Sequence, residues 1–208
     1  METIDAVRKG PKWKSKAKIK IHRSKEEAVE DERMREGDRI RVYSDGSGID
    51  GKIGAGAVLY HAGRLKSALR YQLGSATRHT VYEGEGVGLV LGMELIRKEV
   101  NVRKTSIGID NQSGITAVIS IRPTPSHYIW DLFHNRIHAA IQKHINLEIV
   151  IRWTPGHIGI EGNEAADKEA KRAAQEGSSP DDQLPAALQK RLPDSKAGVH
   201  DQTQKEGS

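Results

Sequence analysis

The chain contains no cysteine, which excludes disulfide bonds and thiolate metal sites. It has no apolar run approaching the ~20 residues that a helix needs to span a bilayer. Its N-terminus lacks the apolar core of a secretion signal, and no internal repeat is visible. The expectation is a soluble protein with no membrane partner, held inside the cell in nucleus or cytoplasm. One further absence is local: from Arg8 to Lys25 there are nine Lys or Arg and no Asp or Glu. Such a stretch either contacts phosphates or serves as a solvated linker. The formal net charge is +5, which suits a polyanionic partner without identifying one.

With 208 residues, one main domain plus tails is expected. Residues 1–38 read as a basic, flexible arm or linker, with a short helix possible over Lys25 to Glu36, where Glu and Lys/Arg recur at helical spacing. After Glu176 the chain turns polar, and 177–208 reads as a disordered tail with a short helix around Pro185–Arg191. The domain is then 39–176. Three strands are predicted first, at Ile40–Ser44, Gly54–Tyr60 and Lys66–Leu73, joined by short turns as an antiparallel meander. Thr80 is placed to cap a helix running to about Glu99, with Glu83 completing a capping box. Thr105–Ile109 is a fourth strand. A short helix follows over Asn111 to Ser120, then a longer one from a Ser126 cap to about His144. Glu148–Trp153 is a fifth strand, and Glu161–Gln175 a last helix. The order βββαβααβα implies an α/β fold, with a five-stranded mixed sheet flanked by helices.

Carboxylates stand at informative points of this pattern. Asp45 is expected at a strand end before Gly-Ser-Gly, where a turn residue is the ordinary alternative. Asp110 follows the fourth strand and serves equally well as a helix cap. If the two strands are parallel neighbours, the two aspartates face one another. Glu85 lies early in the 80–99 helix among Val87, Val90 and Leu91, an apolar face on which a carboxylate needs a partner. Glu83, at the cap, is expected to be solvated. Asp167 lies on the last helix one turn after Glu164. His157 sits on a loop opened by Pro155-Gly156, with a pKa range suited to proton transfer. Four carboxylates from separate elements with one imidazole are what two-metal phosphodiester hydrolysis requires, and oxygen ligands without cysteine favour Mg²⁺ or Mn²⁺. The glycines of Gly84 to Gly92 do not fit dinucleotide-loop spacing. Asp45 to Gly51 lacks an EF-hand ligand. His134 and His138 lack the glutamate of a zincin and read as a solvated helix face.

The motifs Tyr-Ser-Asp45-Gly-Ser-Gly, Thr80-Val-Tyr-Glu-Gly-Glu85, Ile-Asp110-Asn-Gln-Ser and Trp153 to Asp167 occur in the order and context of one family. The domain resembles a type 1 ribonuclease H, in particular the version at the end of fungal non-LTR retrotransposon polyproteins. The resemblance implies a ribonuclease-H-like fold and hydrolysis of the RNA strand of RNA–DNA hybrids, leaving 5′-phosphate and 3′-hydroxyl ends. It implies that Asp45, Glu85, Asp110 and Asp167 hold two Mg²⁺ (Mn²⁺ substituting), that Glu85 helps place the attacking water, and that His157 assists proton transfer or product release. Gly46, Ser47, Thr80 and Gln112 are implied hybrid contacts. A reverse transcriptase domain of the same element is an implied partner, and a monomer is expected. The sequence departs from the family at Gly84, Gly86 and Gly88, each costing ~1 kcal/mol in a helix relative to Ala. It also lacks a basic protrusion between Asp110 and Glu148. These departures leave open a catalytically impaired, nucleic-acid-binding relic; a related DNA-acting nuclease or integrase is the other alternative.

Overall fold

Alternating apolar and polar residues build a six-stranded sheet, seen in a computed structural model that describes Met1 and residues 14–120, 122 and 124–195. In chain order the elements are β1 (Lys18–Lys20), α1 (Lys25–Met34), β2 (Ile40–Ile49), β3 (Lys52–His61), β4 (Arg64–Ser75), α2 (Val81–Lys98), β5 (Lys104–Ile109), α3 (Gln112–Ile119), α4 (His127–Lys143), β6 (Glu148–Trp153) and α5 (Glu161–Glu176). The sheet order is β1-β6-β5-β2-β3-β4. β2, β3 and β4 are antiparallel, while β1, β6, β5 and β2 run parallel. No helix among the described residues is long and apolar enough to cross a membrane.

The meander is set by two tight hairpins. Asp50-Gly51 and Ala62-Gly63 both have positive φ at each residue, the backbone that two-residue hairpin turns require. The first turn lies later than the sequence reading placed it. β2 therefore runs on to Ile49, and Asp45 sits within the strand rather than at its end. The antiparallel pairing with β3 continues past Asp45, whereas the parallel register with β5 covers only Arg41 to Tyr43.

Strand alternation sorts the two faces. Val42, Ala55, Ala57, Leu59, Ile107, Ile109, Ile149 and Ile151 are buried in the main core with Trp130, Phe133 and Ile137 of α4 and the length of α2. The opposite face carries Tyr43, Val58 and Tyr60 packed with Ala166 of α5. The propensity cost of Gly84, Gly86 and Gly88 does not break α2: it forms 18 residues with its glycines buried. A Cβ on Gly84 would stand 3.0 Å from Gly54 O, and one on Gly88 3.0 Å from Asp45 O. The glycines let this helix lie close on the sheet, which offsets their propensity cost.

Two segments differ from the sequence reading. The N-terminal arm contributes β1, an edge strand too short and charged to announce itself by pattern, which raises the strand count from five to six. α1 then packs on the sheet through charge: Asp31 pairs with Arg152 of β6, Glu32 with Arg41 of β2, and Arg35 bonds to Ser106 of β5. Residues 8–13 of the basic stretch lie outside the described residues. Beyond α5, the polar tail returns as a strap whose Leu184, Leu188 and Leu192 are buried in the main core. Residues 196–208 lie outside the description.

Three local expectations are also corrected. Ser126 precedes α4 in a left-handed conformation without a side-chain cap bond; its hydroxyl lies 3.3 Å from that of Ser195. His134 is buried, its Nε2 3.0 Å from Val118 O, rather than solvated. Glu83 is fully buried. Its carboxylate accepts from Thr80 N at 2.7 Å and faces His79 Nδ1 at 3.7 Å, because the capping box turns it inward. Replacing Glu83 with alanine leaves that backbone donor and His79 without their carboxylate. A loss of about 1–3 kcal/mol in urea denaturation is expected; Glu83→Gln is expected to keep most of that stability, since glutamine completes the same box.

Candidate active site

The register of β2 on β5 builds the first half of the site. Tyr43 pairs with Gly108, so Asp45 within β2 and Asp110 just past the end of β5, each two residues further on, come side by side. Asn111 caps α3 through its side-chain oxygen, which removes the cap alternative for Asp110. Glu85 arrives from α2. It can do so because residue 46 is glycine: a Cβ there would lie 2.3 Å from Glu85 N and 2.6 Å from Gly84 C. Oxygen atoms of Asp45, Glu85 and Asp110 lie within 4.8 Å of one another.

α5 supplies the rest. Asp167 joins Asp45, Gly46, Glu85, Asp110, His157, Asn163 and Glu164 around one cleft of about 190 Å³. It adds to the negative charge around Asp45 and is paired with Lys171 at 2.7 Å. His157 is exposed, in a left-handed backbone conformation with φ of 57°, and its charge acts on Asp110. Gly156 is pressed against Asp110, leaving only 2.5 Å between a would-be Cβ and Asp110 Oδ2. Of the implied hybrid contacts, Gly46 lines the cleft. Ser47 is buried further along β2, Thr80 is half-buried at the α2 cap, and Gln112 is exposed in the first turn of α3.

Two asparagines escaped the sequence reading. Asn163, almost fully buried, lines the cleft with Asp110 and its side chain opposes the rise in the Asp110 pKa. The Asn111 side chain likewise opposes the rise in the Glu85 pKa. Asn163 stands four residues before Asp167, one helical turn away on the same face, and that spacing was the available signal.

Electrostatically the cleft is overcrowded. Burial, then the negative charge of Asp110, pushes the Asp45 carboxyl well above the ordinary range. Burial followed by Asp45 and Asp110 does the same to Glu85, and burial raises Asp110 against the opposing pull of Asn163 and His157. Glu85 Oε2 is buried without a hydrogen-bond partner. A buried, unpaired carboxylate oxygen facing two more carboxylates fits a hard cation.

The geometry has counterparts among known proteins. Residues 37–175 match the RNase H family model. None of the curated proteins matches the sequence. The structure is similar to the N-terminal RNase H domain of Rv2228c from Mycobacterium tuberculosis, at 17% identity and a TM-score of 0.51, over 66% of this chain and 94% of that one. LC11-RNase H1, solved in complex with an RNA/DNA hybrid, gives 17% identity and a TM-score of 0.50, over 66% and 97%. The protease–reverse transcriptase of prototype foamy virus gives 18% and 0.52, over 66% of this chain and 21% of that one. These likenesses carry the fold, and the family match spans most of the sequence: the chain belongs to the RNase H family and is a ribonuclease H.

Proposed function

We propose that this ribonuclease H hydrolyses the RNA strand of RNA–DNA hybrids with two divalent ions, Mg²⁺ by preference, leaving 5′-phosphate and 3′-hydroxyl ends. The observation that carries the reading is the gathering of Asp45, Glu85 and Asp110 within 4.8 Å, with one buried carboxylate oxygen unpaired. These three, with Asp167, are the residues to hold the ions. When bound, such ions stabilise charge on the attacking and leaving oxygens of a phosphodiester.

The protein's own groups set up the rest. Asn163 and Asn111 favour the charged forms of Asp110 and Glu85, the forms that hold a cation. Glu85 is the group assigned to orient the water. His157, exposed at the cleft mouth, is free to exchange protons with solvent and with the departing strand. Gly46, Ser47, Thr80 and Gln112 are the proposed hybrid contacts, and the 2′-hydroxyl is the handle that marks the RNA strand. Of the two departures that prompted the impaired alternative, the glycines have a packing role in α2, which supports the active reading; the missing basic protrusion bears on affinity for the hybrid. A reverse transcriptase domain as partner is supported by the foamy virus likeness, in which a similar fold forms about a fifth of that chain. Monomeric behaviour in nucleus or cytoplasm is part of the same proposal.

The test is cleavage of end-labelled RNA–DNA hybrid, duplex DNA and duplex RNA with Mg²⁺ and with a chelator. Cutting of the hybrid RNA alone, dependent on metal, is expected; an intact hybrid at micromolar enzyme overturns the proposal. His157→Ala is expected to lower kcat about a hundredfold, the low end of what proton-transfer groups contribute, while Mg²⁺ affinity by calorimetry stays near wild type.

A further inference from the structure

α1 lies outside the residues that match the family, yet it reaches the catalytic strands through one aromatic ring. Tyr43 stands two residues before Asp45. Its ring is wedged between β5 and the start of α5: a Cβ on Gly108 would come within 2.8 Å of it, and one on Gly162 within 2.2 Å. Gly108 stands two residues before Asp110, and Gly162 immediately precedes Asn163, which lines the same cleft as Asp110. Tyr60 packs edge-on at 5.9 Å and donates to Glu161 at 3.1 Å, which closes the remaining side. The hydroxyl of Tyr43 donates to Glu32 of α1. Arg41 Nη1 donates to Glu32 at 2.8 Å and to the same hydroxyl at 3.0 Å. The Glu32 side chain is only 13% exposed.

We propose that Glu32 is a positioning residue for the hydrolysis. By holding the Tyr43 hydroxyl it fixes the ring that spaces the strands bearing Asp45 and Asp110 from the helix bearing Asp167. It acts from the opposite end of that ring and touches neither substrate nor ion. The proposal rests on the functional reading above. Its physical basis is the tolerance of such sites, where a displacement of about 1 Å can cost about a hundredfold in rate. An aromatic ring packed against two glycines has no slack to absorb such a shift.

The experiment compares wild type with Glu32→Ala, Glu32→Gln and Tyr43→Phe, reading kcat and KM on the hybrid and, separately, Mn²⁺ binding by electron paramagnetic resonance. Glu32→Ala and Tyr43→Phe are expected to lose about tenfold in kcat, with KM within about twofold of wild type, and to bind Mn²⁺ more weakly. Glu32→Gln keeps an oxygen for the tyrosine hydroxyl and is expected to recover most of kcat. A folded Glu32→Ala with wild-type kcat and Mn²⁺ binding overturns the proposal, as does a change confined to KM. Should Glu32→Ala fail to fold, Tyr43→Phe, which keeps the ring, decides on the same criteria. A wild-type chain that binds Mn²⁺ but cuts no hybrid sinks the functional reading instead, and the Mn²⁺ comparison among variants still decides the role of Glu32.

Discussion

Asp110→Asn is expected to lower hybrid cleavage by about a thousandfold or more, the scale seen when one member of a cooperating catalytic set is removed, while leaving the fold intact. The side chain keeps its shape and size, so the packing around position 110 is unchanged. The variant is also expected to be more stable than wild type without metal at neutral pH, and the sign follows from the crowding. Asp45, Glu85 and Asp110 all have folded pKa values raised above the ordinary carboxylate range. Below about pH 4 they are protonated whether the chain is folded or not, so the cluster costs nothing. As pH rises from there through neutrality, the folded state must ionise groups that the unfolded state ionises freely, and stability is lost. Removing one charge relieves part of that penalty. The variant is expected to melt about 2–4 °C above wild type at pH 7.5, with the gap closing toward pH 4. Mg²⁺ is expected to raise the wild-type Tm and to do so much less in the variant. Wild-type cleavage by Asp110→Asn would move the metal site elsewhere; a gap that persists in acid would show that charge repulsion is not its source.

The site was legible in the sequence to the extent that it depends on local pattern. Asp45, Asp110 and Asp167 follow or lie within segments whose periodicity is plain, and the Trp153 to Asp167 motif fixes a loop and a helix together. Glu85 was legible because a carboxylate among Val87, Val90 and Leu91 is anomalous without a partner. What periodicity cannot carry is contact between distant segments. The three residues of β1 are too few to show a period, and α1 has the composition of a solvated helix. It is held down by Asp31 and Glu32 reaching Arg152 and Arg41 on strands that a sequence reading cannot bring alongside. The strap after α5 carries its apolar anchors, Leu184, Leu188 and Leu192, four residues apart in a polar tail, and only the exposed flank of the core gives them meaning. Glycine was misread for the same reason. In one dimension Gly84 and Gly88 weaken a helix; in three they are the places where helix and strand backbones meet.

That reading of glycine has its largest consequence on the other face of the sheet. Gly56→Ala is expected to destabilise the protein by about 3 kcal/mol or more, at or beyond the upper end of ordinary overpacking. A Cβ at position 56 would lie 2.4 Å from Ala170 N and 2.6 Å from Ala166 O, and one at Gly54 would lie 2.2 Å from Ala170 O and 2.5 Å from Ala174 N. These obstacles are helix backbone, which cannot rotate aside as a side chain can. The α5 face above them is already reduced to Ala166, Ala170, Ala173 and Ala174, all buried, so no larger side chain remains to be trimmed. Relief requires α5 to lift from β3. Because Asp167 and Asn163 ride on that helix, the same change is expected to reduce cleavage even at temperatures where the variant stays folded. Gly37→Ala provides the contrast, since nothing lies within 4 Å of its added carbon, and it is expected to fall within about 0.5 kcal/mol of wild type. Urea denaturation of the two variants, with cleavage measured at 15 °C, checks both statements. Equal midpoints for Gly56→Ala and Gly37→Ala would mean that α5 does not sit on β3 as closely as the backbone contacts require, and with that the placement of Asp167 beside Asp45 would be lost.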